Sequence, residues 1–318
     1  MTRIFGHDAH FQSFAKAMAS GRLHHGWILA GPRGVGKAGF AQEAARMLVD
    51  PENRYASMVD HHTHPDIIWV QRLPKEAPKE GESADPDAEL KRSIAIDQIR
   101  SVQHSLTTRP SMGPKRVVII DAADDLERGG ANALLKSLEE PPVGTYFMLV
   151  SHASDRLLPT IRSRCQVMRF EALGDAEMQQ ALLQALPQAS TSEVDALVRS
   201  GRGLPGQAMM LAGMDFGAIE DMADEIVRSG DPTNKLRHKL AETLSLKNAQ
   251  ASYEAFLRFV PVRIAAIGRT LDTEAAIKAV DAFHEADRLA ARAIGLTLDK
   301  QAVLLQMGNL LAGLQKRG

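Results

Sequence analysis

Five short apolar runs recur through the first 170 residues: WILA at 27–30, DIIWV at 66–70, RVVIID at 116–121, YFMLV at 146–150 and QVMRF at 166–170. They are continuous rather than alternating, the pattern of strands covered on both faces. Helical spacing fills the gaps between them. Ile99, Val102 and Leu106 form one stripe, with Asp97 the expected N-cap, and Ala131, Leu134, Leu135 and Leu138 form another, closed by Pro141 and Pro142. Strands alternating with helices predict a five-stranded, mainly parallel sheet with helices on both faces.

The pattern changes after Phe170, beyond which no strand-like run of similar quality follows. From Asp175 to about Met214 the sequence reads as a small helical module, broken at SGRGLPGQ (200–207). From about residue 216 it reads as a longer bundle. The last helix is the clearest: Asp299 is its expected N-cap, and Val303, Leu304, Met307, Leu310, Leu311 and Leu314 follow at three- and four-residue steps. That stripe suits a core face of its own domain, and an all-helical domain without chemical residues also suits an oligomerisation collar. The expected organisation is an α/β domain over 1–172, a helical module over 173–215 and an all-α bundle over 216–318. LPKEAPKEGESADPDAELKR (73–92) lacks periodicity, mixes prolines with both charge signs, and reads as a solvated surface insert.

Composition narrows the class. A single cysteine, Cys165, excludes a disulfide scaffold within the chain or a cysteine-rich metal site and fits a reducing cytoplasm. MTRIFGHDAHFQ lacks an apolar signal core and no run reaches the roughly 20 residues that span a bilayer, so a soluble, cytoplasmic protein without a membrane partner is expected. Net charge is −1, which gives no overall field for DNA or an anionic membrane.

Candidate chemistry begins at GPRGVGKA (31–38). Gly31, Gly36 and Lys37 fit G-x-x-x-x-G-K between the strand WILA and a helical run from near Ala38. In that context the glycines let backbone N–H groups curl round phosphate oxygens, a helix N-terminus adds partial positive charge, and the lysine reaches the terminal phosphates. The last position departs from the pattern. Serine or threonine there would hold Mg²⁺, and Ala38 has no oxygen to offer. In RVVIIDAADDL, Asp121 ends its strand as a Walker-B aspartate does, but Ala122 stands where glutamate would orient an attacking water. Asp124, three residues on, is expected to point elsewhere.

GRLHHGWILAGPRGVGK, NALLKSLEEPP (132–142) and LLPTIRSRCQ (157–166) together resemble the AAA+ clamp-loader ATPases of bacteria, over about the first 215 residues and most densely from Val117 to Phe170. The resemblance implies a P-loop AAA+ domain, a small helical lid and an all-α C-terminal bundle, in a five-subunit ring that opens a sliding clamp and places it on primed DNA. The implied partners are gamma/tau-type and delta-type subunits, the clamp, and DNA through the assembled ring. Ser163, Arg164 and Cys165 match a motif whose arginine acts as a finger on a neighbour's ATP, which makes Arg164 the candidate catalytic group. On residue types alone, Arg162 and Arg164 serve equally well as surface arginines. The family's lid arginine is missing, with Gly206 at its place in GLPGQA, and one subunit type shares that lack. Ser151 stands at the sensor position, to contact phosphate or water, or to be satisfied at a strand end.

The resemblance thus implies a nucleotide site of Gly31, Pro32, Gly34, Gly36, Lys37, Ala38, Asp121 and Ser151, holding ATP weakly or not at all, with Mg²⁺ only alongside nucleotide. Many relatives carry a four-cysteine zinc module before the second strand. This chain has DHHTHPD there, and the spacing of His61, His62 and His64 matches no closed site, so no zinc is expected. An active ATPase motor and a nucleotide-gated scaffold remain the alternatives.

Overall fold

The computed structural model describes residues 6–75, 90–212, 216–246, 249–295 and 298–315. The chain divides into two compact units, 1–184 with 202–206, and 185–201 with 207–318.

The first unit runs α1 (Asp8–Ala19), β1 (Gly26–Ala30), α2 (Lys37–Val49), α3 (Ala56–Asp60), β2 (Ile67–Gln71), α4 (Ile96–Ser105), β3 (Arg116–Asp121), α5 (Arg128–Glu139), β4 (Thr145–Ser151), α6 (Pro159–Arg162), β5 (Gln166–Arg169) and α7 (Asp175–Ala185). The five apolar runs are the five strands. They form one parallel sheet in the order β2-β3-β4-β1-β5. Successive residues serve opposite faces. Trp27, Leu29, Val117, Ile119, Met148 and Val150 pack with Phe14 of α1 and Phe40 of α2, whereas Ile28, Val118, Ile120, Phe147 and Leu149 pack with Ile99 of α4 and Leu134 and Leu138 of α5. Each buried side chain contributes roughly 1.5–3 kcal/mol, so a slip of one residue would exchange the two faces and forfeit that packing. Because all strands run the same way, the loops leaving β1, β3 and β4 meet at one edge.

The expectation for Asp97 is corrected. The N-cap of α4 is Ala95, and Asp97 lies in the first turn, paired with Arg100 at 3.0 Å. Gln98 does the capping, its side-chain oxygen accepting the Ala95 N–H at 3.2 Å. The physical reason is tertiary: Ile94 donates to Asp125 O at 2.7 Å and accepts from Glu127 N at 3.1 Å, which fixes the chain's entry just ahead of the helix. The insert at 73–92 is closed at its base, with Lys91 N–H donating to Leu73 O at 2.7 Å and Pro74 bridging Leu90. Its residues 76–89 lie outside the described residues.

Further along lie α8 (Thr191–Gly201), α9 (Pro205–Leu211), α10 (Phe216–Ser229), α11 (Lys235–Ser245), α12 (Gln250–Gly268), α13 (Thr273–Gly295) and α14 (Lys300–Ala312). Within the second unit α12 packs along α13 and α11 along α14. Asp299 caps α14 as expected, accepting the Ala302 N–H at 2.7 Å. Val303, Leu304, Met307, Leu311 and Leu314 are buried, and Leu310 is half-buried. The turn before α11 is organised by buried Asp231, whose carboxylate accepts N–H groups of Leu236 (3.2 Å) and Arg237 (3.0 Å) and pairs with the Arg237 guanidinium at 3.1 Å. Arg237 also reaches Asn309 of α14. Among the described residues no helix is long and apolar enough to cross a membrane.

Candidate functional site

The loop 31–36 leaves β1 at the sheet edge where β3 ends in Asp121 and β4 in Ser151. Gly31 N–H donates to Ser151 O at 3.2 Å, which continues the strand pairing into the loop. Gly36 is the N-cap of α2 with φ 107°, a left-handed conformation that suits glycine, and no side chain caps the helix. The first N–H groups of α2 therefore open at this edge, the geometry of an anion cradle. Lys37 is buried, its ammonium donating to the carbonyls of Gly31 and Pro32 at 2.6 Å each. Burial lowers its pKa to about 8, against the raising influence of Asp121 and Asp124. Burial likewise raises Asp121, opposed by Lys37 and Arg33. The structure thus brings Gly31, Pro32, Gly34, Gly36, Lys37, Ala38, Asp121 and Ser151 to one edge.

Several of those positions are engaged within the chain. The Ser151 hydroxyl donates to Asp124 Oδ1 at 2.8 Å, and the same carboxylate accepts the N–H groups of His152 (2.6 Å) and Ala153 (3.2 Å). Asp124 is thereby tied to the end of β4, close enough to act on the Lys37 charge. Gly206 donates its N–H to Gly34 O at 2.8 Å, and a Cβ there would come within 2.9 Å of Gly34 Cα. The start of α9 thus rests backbone to backbone on the phosphate loop.

Two histidines that carry no motif also belong to this edge. His7 is buried and its Nε2–H donates to Val35 O of the loop at 2.8 Å, while burial lowers its pKa. His152 follows Ser151; desolvation, then the Lys37 charge, lowers it to about 4. Adjacency to Ser151 was the one sequence signal for His152, and His7 had none.

Arg164 lies elsewhere. It precedes β5, whose first residue Gln166 pairs with Trp27 near the start of β1, whereas the phosphate loop leaves the far end of β1. With ~3.3 Å per strand residue, the length of β1 separates the two edges. The Arg164 side chain is 34 % exposed; its Nη2 contacts Glu139 Oε1 at 2.6 Å and its Nη1 donates to Thr160 O at 2.9 Å. Arg162 sits 3.7 Å from Asp155. Burial pushes the Cys165 thiol up to about 12, which leaves it unreactive at neutral pH.

The three histidines of DHHTHPD diverge. His61 bonds Ser57 O at 2.7 Å, His62 stacks on Trp69 at 4.0 Å, and buried His64 accepts the Asp66 N–H at 3.1 Å. Asp66 itself anchors the loop ahead of β3, accepting the N–H groups of Ser111 and Met112 at 2.7 Å. Among the described residues no group of three or more His, Cys, Asp or Glu is placed to hold a metal.

A five-stranded parallel sheet with a phosphate loop after its interior strand β1, an acidic strand end beside it and a helical C-terminal region defines a P-loop protein of the AAA+ type. The profile of the family described as "DNA polymerase III, delta subunit" matches residues 6–174, over half of the 318-residue chain, and the chain belongs to that family. Its relatives point to the delta prime type. The DNA polymerase III subunit delta' of Pseudomonas aeruginosa is 32 % identical over 198 residues, 59 % of this chain and 56 % of that one. The Escherichia coli delta' subunit is 30 % identical over 237 residues, 70 % and 65 % of the two chains. The match therefore spans just over half to about two thirds of these relatives. A solved gamma subunit-related protein of Thermotoga maritima has a TM-score of 0.47 at 16 % identity, covering 96 % of this chain and 99 % of that one.

Proposed function

We propose that this chain is a delta-prime-type clamp-loader subunit that offers Arg164 in trans to the ATP of a neighbouring gamma/tau-type subunit and hydrolyses ATP weakly or not at all itself. The observation that carries this reading is the placement of Arg164 at the sheet edge opposite its own phosphate loop: an arginine there serves another subunit's site or none. A guanidinium at a γ-phosphate neutralises charge that grows during phosphoryl transfer, an effect of about 10³ to 10⁵ in rate in related chemistry. Poor hydrolysis by this chain is supported by Ala38 and Ala122, which offer no oxygen, and by Ser151 and Asp124, which are spent on each other.

The cradle itself fits a polyphosphate. The loop N–H groups and Lys37 would hold it, and a bound ATP would supply negative charge to a lysine now held only by carbonyls and nearby carboxylates. Mg²⁺ would lack the hydroxyl usual at residue 38. The retained glycines and Lys37 favour the second reading, a nucleotide-gated scaffold without a catalytic contribution, and the missing hydroxyl weakens it. In the proposal, residues 173–215 act as the lid, 216–318 as the collar, and the delta-type subunit, sliding clamp and primed DNA are reached through the ring. The cytoplasm is the expected compartment.

The test is the ATPase rate, stimulated by primed DNA and clamp, of the loader reconstituted with this chain or its Arg164→Ala form. A loss of about a hundredfold or more at one partner site, with assembly intact, is expected. An unchanged rate transfers the conclusion to the scaffold. Steady turnover by the single chain, abolished by Lys37→Ala, would establish the active-motor alternative instead.

A further inference from the structure

Helix α5 ends in a way that its own chemistry does not favour. Glu139 is its last residue and Glu140 its C-cap, so two carboxylates stand at the negative end of the helix dipole, with Lys136 the basic residue of the last turn. Prolines at 141 and 142 prevent the helix from extending to move that end away. A local choice that works against its helix marks a position held for another purpose.

That purpose is visible in what Glu139 touches. Its Oε1 lies 2.6 Å from Arg164 Nη2, across 25 residues of sequence, while Arg164 Nη1 donates to Thr160 O at 2.9 Å and lies 3.3 Å from Ser163 Oγ. The two terminal nitrogens are thus held by different elements, α5 on one side and α6 with its C-cap Ser163 on the other. An arginine side chain has several rotatable bonds, and an otherwise free guanidinium would sample many directions; two anchors reduce them to one. The pair is also open to water, Glu139 at 49 % and Arg164 at 34 % exposure. Ion pairs exposed to that degree are weak and exchange partners readily. A guanidinium has five donors, so Arg164 can turn an unused N–H toward an incoming phosphate oxygen without first losing both anchors.

We propose that Glu139 is the positioning residue for Arg164, holding the guanidinium outward in the orientation from which it meets a neighbouring subunit's phosphate. The inference rests on the reading of Arg164 as a finger and adds the group that aims it. It predicts a kinetic signature in turnover rather than in nucleotide affinity, because Glu139 itself touches no nucleotide.

The experiment uses the loader reconstituted with wild-type chain, Glu139→Gln, Glu139→Asp, Arg164→Ala and the Glu139→Gln/Arg164→Ala double variant, each checked for assembly by size-exclusion chromatography. ATP turnover stimulated by primed DNA and clamp is measured against ATP concentration. Glu139→Gln is expected to lower kcat about tenfold with KM little changed. Glu139→Asp should restore most of the rate, and Glu139→Gln should have no further effect once Arg164 is alanine. A Glu139→Gln rate equal to wild type, or a loss that persists in full in the Arg164→Ala background, overturns the inference while leaving the finger intact. A silent Arg164→Ala overturns the finger, and the inference with it.

Discussion

The backbone N–H of Gly206 donates to the carbonyl of Gly34 at 2.8 Å, joining the start of α9 to the phosphate loop. The absence of a side chain at 206 is therefore a packing requirement. A Cβ at 206 would meet Gly34 Cα at 2.9 Å and Gly34 O at 3.1 Å, and both are backbone atoms that cannot rotate away. We expect Gly206→Ala to destabilise the protein by about 1–3 kcal/mol in urea unfolding, and Gly206→Arg to do so at least as much without creating ATP turnover. A Gly206→Arg chain of undiminished stability would show that the loop and α9 do not touch.

Asp124 is the acceptor that finishes the edge of the sheet. Replacing it by alanine strands the fully buried Ser151 hydroxyl and two backbone N–H groups. Asp124→Ala should cost about 1–3 kcal/mol in denaturant titration, and Ser151→Ala less, because Asp124 then keeps both N–H partners.

Lys37 provides a pH test of nucleotide contact. Burial sets its pKa to about 8, and a bound polyphosphate favours the ammonium form, so binding of a fluorescent ATP analogue should hold steady up to about pH 7 and weaken as pH rises through 8. Lys37→Met should lower affinity and flatten that profile. Affinity independent of pH to about 9 would mean that the lysine does not meet the phosphates.

In the second unit, Asp231 ties the turn before α11 to Arg237. Burial alone would raise its carboxyl, but the N–H bonds from Arg237 and Leu236 and the Arg237 guanidinium outweigh burial and hold it below the ordinary 3.8. A depressed carboxyl contributes stability that is present above its unfolded pKa and lost as pH falls through the folded one. Asp231→Ala should therefore destabilise by about 3 kcal/mol near neutrality, since it leaves Arg237 uncompensated, and the loss should shrink in acid below about pH 4. Unfolding free energies of both chains across that range give the comparison.

Much of the architecture was legible because it rests on local chemistry. Continuous apolar runs such as RVVIID are strands wherever both faces are covered, and Asp299 caps α14 because an aspartate before an apolar stripe seldom has a better use. Asp97 looked the same and was not, because the link from Ile94 to Asp125 and Glu127 set the helix start from outside the segment.

The candidate site divides in the same way. Residue types alone determined the phosphate loop, the missing oxygens at Ala38 and Ala122 and the arginine beside Cys165, since each is a statement about which atoms a position can offer. Only the tertiary structure decided where those atoms are spent: Ser151 on Asp124, Gly206 on Gly34, His7 on Val35, Arg164 on Glu139. Each of these pairs joins residues 25 or more apart in sequence, and only the folded chain brings them together. Sequence periodicity reports which face of a strand is buried; it carries no record of which strand lies beside it, and that neighbour determines the partner of every polar group at the strand's end.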